Sequence, residues 1–376
     1  MINGNLRDRR YRPSFSLRVM QVFHLDHYLL LGIGVLMLVG LGVLYSAGDQ
    51  STALINRQLT RIVLAVIVML VVAQIPSSTL RFWSPWMYAI GVILLVLVLV
   101  MGDIGKGAQR WLDLGFIRFQ PSEMMKLVTP MMVAWYFSEK PLPPSPRTLL
   151  IAAVLILLPT FLIAKQPDLG TSLLIFAAGF FVIFLGGMSW RLMIGLGVLG
   201  ASLLPVLWHF MHDYQRTRVM TLLDPQLDPL GAGYHIIQSQ IAIGSGGVYG
   251  RGWLNGSQSH LNFLPEQSTD FIFAVFAEEF GLMGGLILLF LYGFIIIRGL
   301  VISVQGQDTY ARLLGGSLSL TFFVYLFVNV GMVSGILPVV GVPLPLISYG
   351  GTSMVTLMAG FGMLMSINSH RKLWSK

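Results

Sequence analysis

The chain has 376 residues, 55% of them hydrophobic and only 11% charged; a soluble domain carries roughly 25% charged residues, so a water-soluble globule is excluded. It contains no cysteine, which rules out disulfides, thiolate catalysis and cysteine metal sites. A net charge of +8 could suit nucleic acid, but the basic residues sit mainly at the ends of apolar runs, where membrane proteins carry them for topology and lipid contact, so no nucleic-acid partner is expected.

Residues 1–27 include Arg7, Arg9, Arg10, Arg12 and Arg18 and no long apolar run, and read as a cytoplasmic tail before a signal-anchor. Apolar runs of about 20 residues then recur, long enough to cross about 30 Å of hydrocarbon as helix. Runs such as YAIGVILLVLVLVMG lack the alternation of a β-barrel. Ten spans are predicted, at about 28–46, 57–75, 84–101, 121–138, 147–164, 169–187, 190–211, 270–301, 310–333 and 349–368. The fold class is therefore an all-α polytopic membrane protein with about ten transmembrane helices in a single domain over 28–368. A large extracytoplasmic loop, about 212–269, lies between spans seven and eight, and 369–376 form a cytoplasmic tail. The eighth span exceeds what the bilayer needs and should tilt or project.

With the N-terminus inside, ten spans return Arg371, Lys372 and Lys376 to the inside, where a majority of the 24 Lys and Arg then lie. Of the 16 acids, only Asp8, Asp26, Glu139 and Asp308 fall inside. The outer face carries the polar residues, so function is expected there. His24/His27 and His209/His212 have metal-compatible i,i+3 spacing, but neither pair has a carboxylate cluster nearby in sequence.

Five segments could carry chemistry. In 102–127, Lys106, Arg110 and Arg118 alternate with Trp111, Phe116 and Phe119, which suits either an interfacial belt or a site for lipid phosphates. Pro121 favours a helix start, and Glu123 and Lys126 share a face of span four; such an intramembrane pair marks a site by default or serves packing specificity. In KQPDLGTS (165–172), Asp168 can cap the next helix, contact substrate, or both. The outer loop carries Asp213, Arg216 and Arg218, then an apolar stretch from Tyr234 to Ile243 that should lie at the interface or re-enter a cavity. Glycines at 244–252 offer either a flexible connector or backbone N–H groups for phosphate; GSGGVYGRG is not a P-loop.

The fourth segment is PEQSTDFIFAVFAEEFG. Asp270 stands where the polar loop enters span eight, a costly position for a carboxylate unless it is solvated, paired or used. It could merely cap the span. Glu278 and Glu279, two turns deeper, argue for more and should face a polar cavity or pair with cations such as Lys126 or Arg216. In the fifth, 329–353, Pro338, Pro343 and Pro345 break any helix. Such backbone at membrane depth should line a cavity, with Ser348, Tyr349, Gly350 and Gly351 allowing close approach.

The stretches KGAQRWLDLGFIRFQPSEMMKL, KQPDLGTS, GYHIIQSQIAIGSGGVYGRG, FLPEQSTDFIFAVFAEEFG and GILPVVGVPLPLISYGGTS together resemble the SEDS family (shape, elongation, division and sporulation), most closely its elongation members. The resemblance implies an inverting peptidoglycan glycosyltransferase that polymerises lipid II outside the bacterial inner membrane and releases undecaprenyl pyrophosphate. It further implies a class B penicillin-binding protein as transpeptidase partner within the elongation machinery. The family's essential aspartate maps onto Asp270 and its cavity Glu–Lys pair onto Glu123 and Lys126. On this reading Asp270 is the general base, and Lys126, Arg110 and Arg216 are pyrophosphate partners. Asp168, Glu266, Ser348 and Tyr349 complete the expected substrate site. No cofactor is required; a divalent cation, Mg or Mn, across the pyrophosphate stays open. Two rival functions are a lipid II flippase and a non-catalytic scaffold of a cell-wall synthase, although no inverted repeat is evident.

Overall fold

The structure, a computed structural model, describes residues 25–105, 108–113, 118–211, 213–228, 231–257 and 266–369. The predicted tails, except for 25–27 and 369, lie outside the described residues, as do Lys106, Phe116, His24 and His212 and part of the large loop.

Each predicted span coincides with a helix. In chain order these are α1 (His27–Ala47), α2 (Thr52–Ala73), α3 (Ser77–Met101), α4 (Pro121–Ser138), α5 (Pro146–Ala164), α6 (Leu169–Leu185) and α7 (Trp190–Phe210). Two shorter helices follow, α8 (Asp213–Leu223) and α9 (Ala232–Gly246), then α10 (Ile272–Val304), α11 (Thr309–Val333) and α12 (Thr352–Ser369). Six of them, α1, α2, α3, α5, α10 and α11, are long and apolar enough to cross a membrane. Many begin at a short polar side chain that accepts a hydrogen bond from an N–H otherwise lacking a partner. Asp26, Ser51, Ser145, Asp168, Ser189 and Asp308 do this for α1, α2, α5, α6, α7 and α11.

One departure from the all-α expectation lies between α3 and α4. Strands β1 (Asp103–Gly105), β2 (Ala108–Asp113) and β3 (Arg118–Phe119) form a small antiparallel sheet in that order. The segment folds back on itself, pairing Ile104 with Gln109 and Leu112 with Phe119. Its strands are too short for periodicity to reveal.

In the bundle α12 lies along α2, α11 packs on α6 and α4, and α10 packs on α1 and α11. The stretch from 334 to 351 is not helical, as its prolines predict. It is held between helices by main-chain acceptors. The buried Tyr292 hydroxyl donates to the Pro345 carbonyl at 2.6 Å, and the Asn329 amide donates to Val342 O at 2.8 Å. These two carbonyls of the irregular segment are thus satisfied by protein side chains, as buried backbone groups require.

Candidate active site

The N-terminal ends of α4, α6, α10 and α12 converge with the irregular 334–351 segment around one polar cavity of about 370 Å³. Its lining includes Arg110, Glu123, Lys126, Asp168, Glu266, Asp270 and Tyr349, seven of the nine site residues predicted from sequence.

Pro121 starts α4 and leaves Glu123 in the first turn, where the helix dipole favours a carboxylate. One turn on, Lys126 Nζ lies 2.7 Å from Glu123 Oε1, with the lysine only 5% exposed. The ammonium also sits 5.3 Å from the Tyr325 ring centre. Glu123 Oε2 is buried with no hydrogen-bond partner among the described residues. The pair is therefore half saturated, and it borders open space.

Asp168 caps α6, as one of its readings has it, and also lines the cavity. Its Oδ1 caps α6 by accepting from Thr171 N at 3.2 Å, and its Oδ2 accepts from the Gln120 amide at 3.3 Å. Arg110 reaches in from β2, with Nε 4.0 Å from Asp168 Oδ2 and donating to Gln166 O at 3.4 Å, and Nη2 donating to Pro167 O. The small sheet is what delivers this cation to the cavity.

Asp270 does not cap its helix. The cap position falls on Phe271, and no side chain makes a capping bond there. Residues 266–271 form a turn in which Thr269 N donates to Glu266 O at 3.0 Å and Glu266 adopts φ 52°. Asn329 Nδ2 holds the turn by donating to Asp270 O at 2.9 Å. The carboxylate lies against Gly341 (φ 73°), where an added Cβ would meet Asp270 Oδ2 at 3.4 Å.

Ser348 stands behind the cavity. Its hydroxyl donates to Thr269 O at 2.5 Å and accepts from Leu344 N at 2.8 Å, while Tyr349 N donates to Ser268 O at 2.8 Å. Ser348 therefore ties the proline-broken segment to the Asp270 turn. Arg216 is not brought to the cavity: its guanidinium donates to Trp208 O at 3.0 Å and His209 O at 2.7 Å, closing the end of α7 onto α8.

Glu278 and Glu279 pair with neither Lys126 nor Arg216. Glu278 Oε1 accepts from Ser257 Oγ at 3.0 Å and lies 4.0 Å from Arg251 Nη1. Glu279 Oε1 accepts from Ser46 Oγ and from Leu254 N at 3.1 Å. The glycine-rich stretch is neither a phosphate nest nor a free connector, because the amides of Gly250, Arg251 and Gly252 donate to Gly246, Glu278 and Glu279 carbonyls.

Residues not singled out from sequence also contribute. Gln120 and Tyr325 line the cavity. The Arg61 guanidinium stacks 4.1 Å over the Tyr349 ring. Arg61 also lines an apolar groove of about 440 Å³ that shares Gln120, Glu123 and Thr352 with the polar cavity. A cation a few residues inside a predicted span was a signal for Arg61; a tyrosine within an apolar run gave none for Tyr325. Among the described residues no three His, Asp or Glu are grouped to hold a metal ion.

The family described as "Cell cycle protein", comprising FtsW, RodA and SpoVE, matches residues 20–373. The chain is 57% identical over 354 residues to peptidoglycan glycosyltransferase MrdB of Escherichia coli (strain K12), covering 94% of this chain and 96% of that one. It is 33% identical over 434 residues to peptidoglycan glycosyltransferase RodA of Treponema pallidum (strain Nichols), covering 94% and 100%. Among solved structures it resembles a chain described under "Structural coordination of polymerization and crosslinking by a peptidoglycan synthase complex". There the TM-score is 0.80 and the identity 30%, over 91% of this chain and 97% of that one. The rod shape determining protein RodA of Thermus thermophilus matches with a TM-score of 0.70 and 26% identity, over 92% and 98%. The chain belongs to the FtsW, RodA and SpoVE family, the SEDS proteins whose motifs its sequence carries.

Proposed function

We propose that this chain is a peptidoglycan glycosyltransferase that polymerises lipid II during cell elongation and rod-shape maintenance, with the polar cavity as its active site. The observation that carries this reading is that the Asp270 carboxylate opens into the same cavity as the Glu123–Lys126 pair and Arg110. The likeness to relatives named peptidoglycan glycosyltransferase supports the reaction class.

Strand extension needs a sugar hydroxyl to attack the anomeric carbon of a second lipid-borne sugar. Asp270 takes the hydroxyl proton as the new C–O bond forms, and the anomeric C–O bond to pyrophosphate breaks with inversion. The departing pyrophosphate gains negative charge, which Lys126 and Arg110 are placed to stabilise. Arg216, engaged with Trp208 and His209, leaves this set, and Arg61 enters it at the mouth of the apolar groove, which would take the polyprenyl chain. Glu123 Oε2, lacking a protein partner, offers an acceptor to a sugar or amide N–H. A divalent cation, Mg or Mn, would be held by at most two of the cavity carboxylates together with substrate phosphates, a coordination that suits Mg²⁺.

On this reading ten helices span the inner membrane with both termini cytoplasmic, the cavity opens to the periplasm, and the large loop between the seventh and eighth spans is extracytoplasmic. The partner is a class B penicillin-binding protein, which crosslinks the strands; the likeness to a chain of a peptidoglycan synthase complex supports that pairing.

Gel analysis of lipid II polymerisation by purified protein tests the proposal, with and without the penicillin-binding partner and a chelator. Folded, membrane-inserted Asp270→Asn should make no glycan, and near-normal synthesis by it would sink the assignment. Lipid II translocation in vesicles without polymerisation would favour the flippase.

A further inference from the structure

The 33-residue helix α10 is in fact two pieces. At Gly281 the backbone leaves the helix (φ 65°, ψ −164°). An α-helix would bond Leu282 N to Glu278 O and Met283 N to Glu279 O. Instead those carbonyls accept from Arg251 N at 3.0 Å and Gly252 N at 2.9 Å, and those amides donate to Gly247 O and Val248 O, each at 3.0 Å. Segment 247–252 is thus spliced into the broken ladder, and all four main-chain groups find partners. Only glycine fits at the crossing. A Cβ on Gly281 would stand 2.3 Å from Gly250 N, and one on Gly250 would stand 2.1 Å from Glu279 O.

The two carboxylates beside the break hold this splice. Glu278 is 0% exposed and gathers Ser257, Ser245 and Arg251. Glu279 is 1% exposed and joins Leu254 of the loop to Ser46 at the end of α1. Trp253 locks the same loop to α1 through a 3.1 Å bond to Gly42 O. Apolar residues would serve bare stability as well as two buried carboxylates do, because desolvation offsets much of what their bonds return. What the carboxylates add is a single geometry for the loop against the helix. The short piece running back from the splice, 272–280, begins immediately after the Asp270 turn.

We propose that Glu278 and Glu279 are positioning residues: through the 247–252 splice they set where the Asp270 carboxylate stands in the cavity. A displacement of the large loop is thereby transmitted to Asp270 along one rigid, two-turn piece of helix. This rests on the reading of Asp270 as the base.

The test combines polymerisation kinetics on purified lipid II with amide hydrogen exchange. Glu278→Ala and Glu279→Ala should raise exchange in 247–252 and 278–283 together while α11 keeps its protection. Turnover per folded molecule should fall about 10-fold or more with KM changed less than about 2-fold, since small misplacements of a catalytic group act on kcat. Glu279→Gln keeps an oxygen acceptor for Ser46 and Leu254 and should recover most of the turnover. If the alanine variants do not fold, Ser257→Ala and Ser46→Ala each remove one hydroxyl and should lower turnover in proportion to the exchange they release. Full turnover with an opened splice, or a raised KM with kcat intact, overturns the proposal. Active Asp270→Asn removes the base reading alone, because exchange and turnover in the splice variants are measured independently of it.

Discussion

Two ion pairs, each with a buried carboxylate, stand at opposite ends of the bundle, and they differ in how many of their oxygens are taken. Asp26 and Arg298 meet at 2.6 Å where α1 begins and α10 ends. Asp26 Oδ1 accepts from Arg298 Nε at 3.1 Å and Leu29 N at 2.9 Å, and Oδ2 accepts from Arg298 Nη2 and from Asn368 at 3.0 Å. That pair is saturated and closes three helices together. Glu123 and Lys126 meet at 2.7 Å, yet Glu123 Oε2 has no bond within the described protein and a cavity of about 370 Å³ adjoins. A buried carboxylate is common to both pairs, so burial alone does not mark a site; an unfilled valence next to open space does.

Removing one charge from each pair should separate these roles. Lys126→Met leaves Glu123 buried without its cation, which costs about 3 kcal/mol of stability and abolishes polymerisation. Glu123→Gln combined with Lys126→Met removes both charges. Thermal unfolding in detergent should show most of the lost stability restored, while gel assays still show no glycan. Recovery of turnover by the double variant would make the pair structural, like its counterpart at the other end.

Asp26→Asn is the smaller, opposite case. It keeps the shape but weakens bonds to the Arg298 guanidinium, costing about 1–2 kcal/mol. Turnover per folded molecule should stay near that of the parent. Burial by itself would raise the Asp26 carboxyl, but Arg298 and the Leu29 amide outweigh it and hold the value below the ordinary 3.8. Its stabilisation is therefore full above that ordinary value and is lost as pH falls through the lower, native one. Acid titration of unfolding should show this component missing in Asp26→Asn.

Much of this contrast was legible in the amino-acid order. Apolar run lengths located the helices, and Asp168 and Pro121 announced helix starts through local bonding and a fixed φ. Pro338, Pro343 and Pro345 announced irregular backbone at the cavity wall. Glu123, Lys126 and Asp270 were conspicuous because each is a charge where hydrocarbon should be. What stayed hidden depends on partners distant in sequence. Nothing local distinguishes Arg110, which β2 carries to Asp168, from Arg216, which turns back on Trp208 and His209. Nor does anything in AEEFG reveal that a loop some thirty residues earlier supplies the missing rungs of its helix.

The smallest expected effect concerns His235, which links the large loop to the Asp270 turn. Its ring stacks on Phe271 with centroids 5.5 Å apart and planes inclined by 17°, and its Nδ1 is buried without a hydrogen bond among the described residues. Burial pushes the imidazole below its ordinary 6.5, against the opposing pull of Glu266 and Asp228. The folded chain therefore binds a proton at His235 less readily than the unfolded chain, so stability rises with pH across the interval between the two values. The neutral ring gives its full contribution above 6.5 and loses it as pH falls through that point toward the native value. Thermal unfolding followed downward from neutral pH should show this loss in the parent protein. His235→Phe keeps the stack and has no proton to bind, so its unfolding curve should be flatter over the same range. Equal slopes for the two proteins would mean that the charge on His235 is screened by Glu266 and Asp228 as effectively in the fold as water screens it outside, and the Phe271 contact would then be a matter of shape alone.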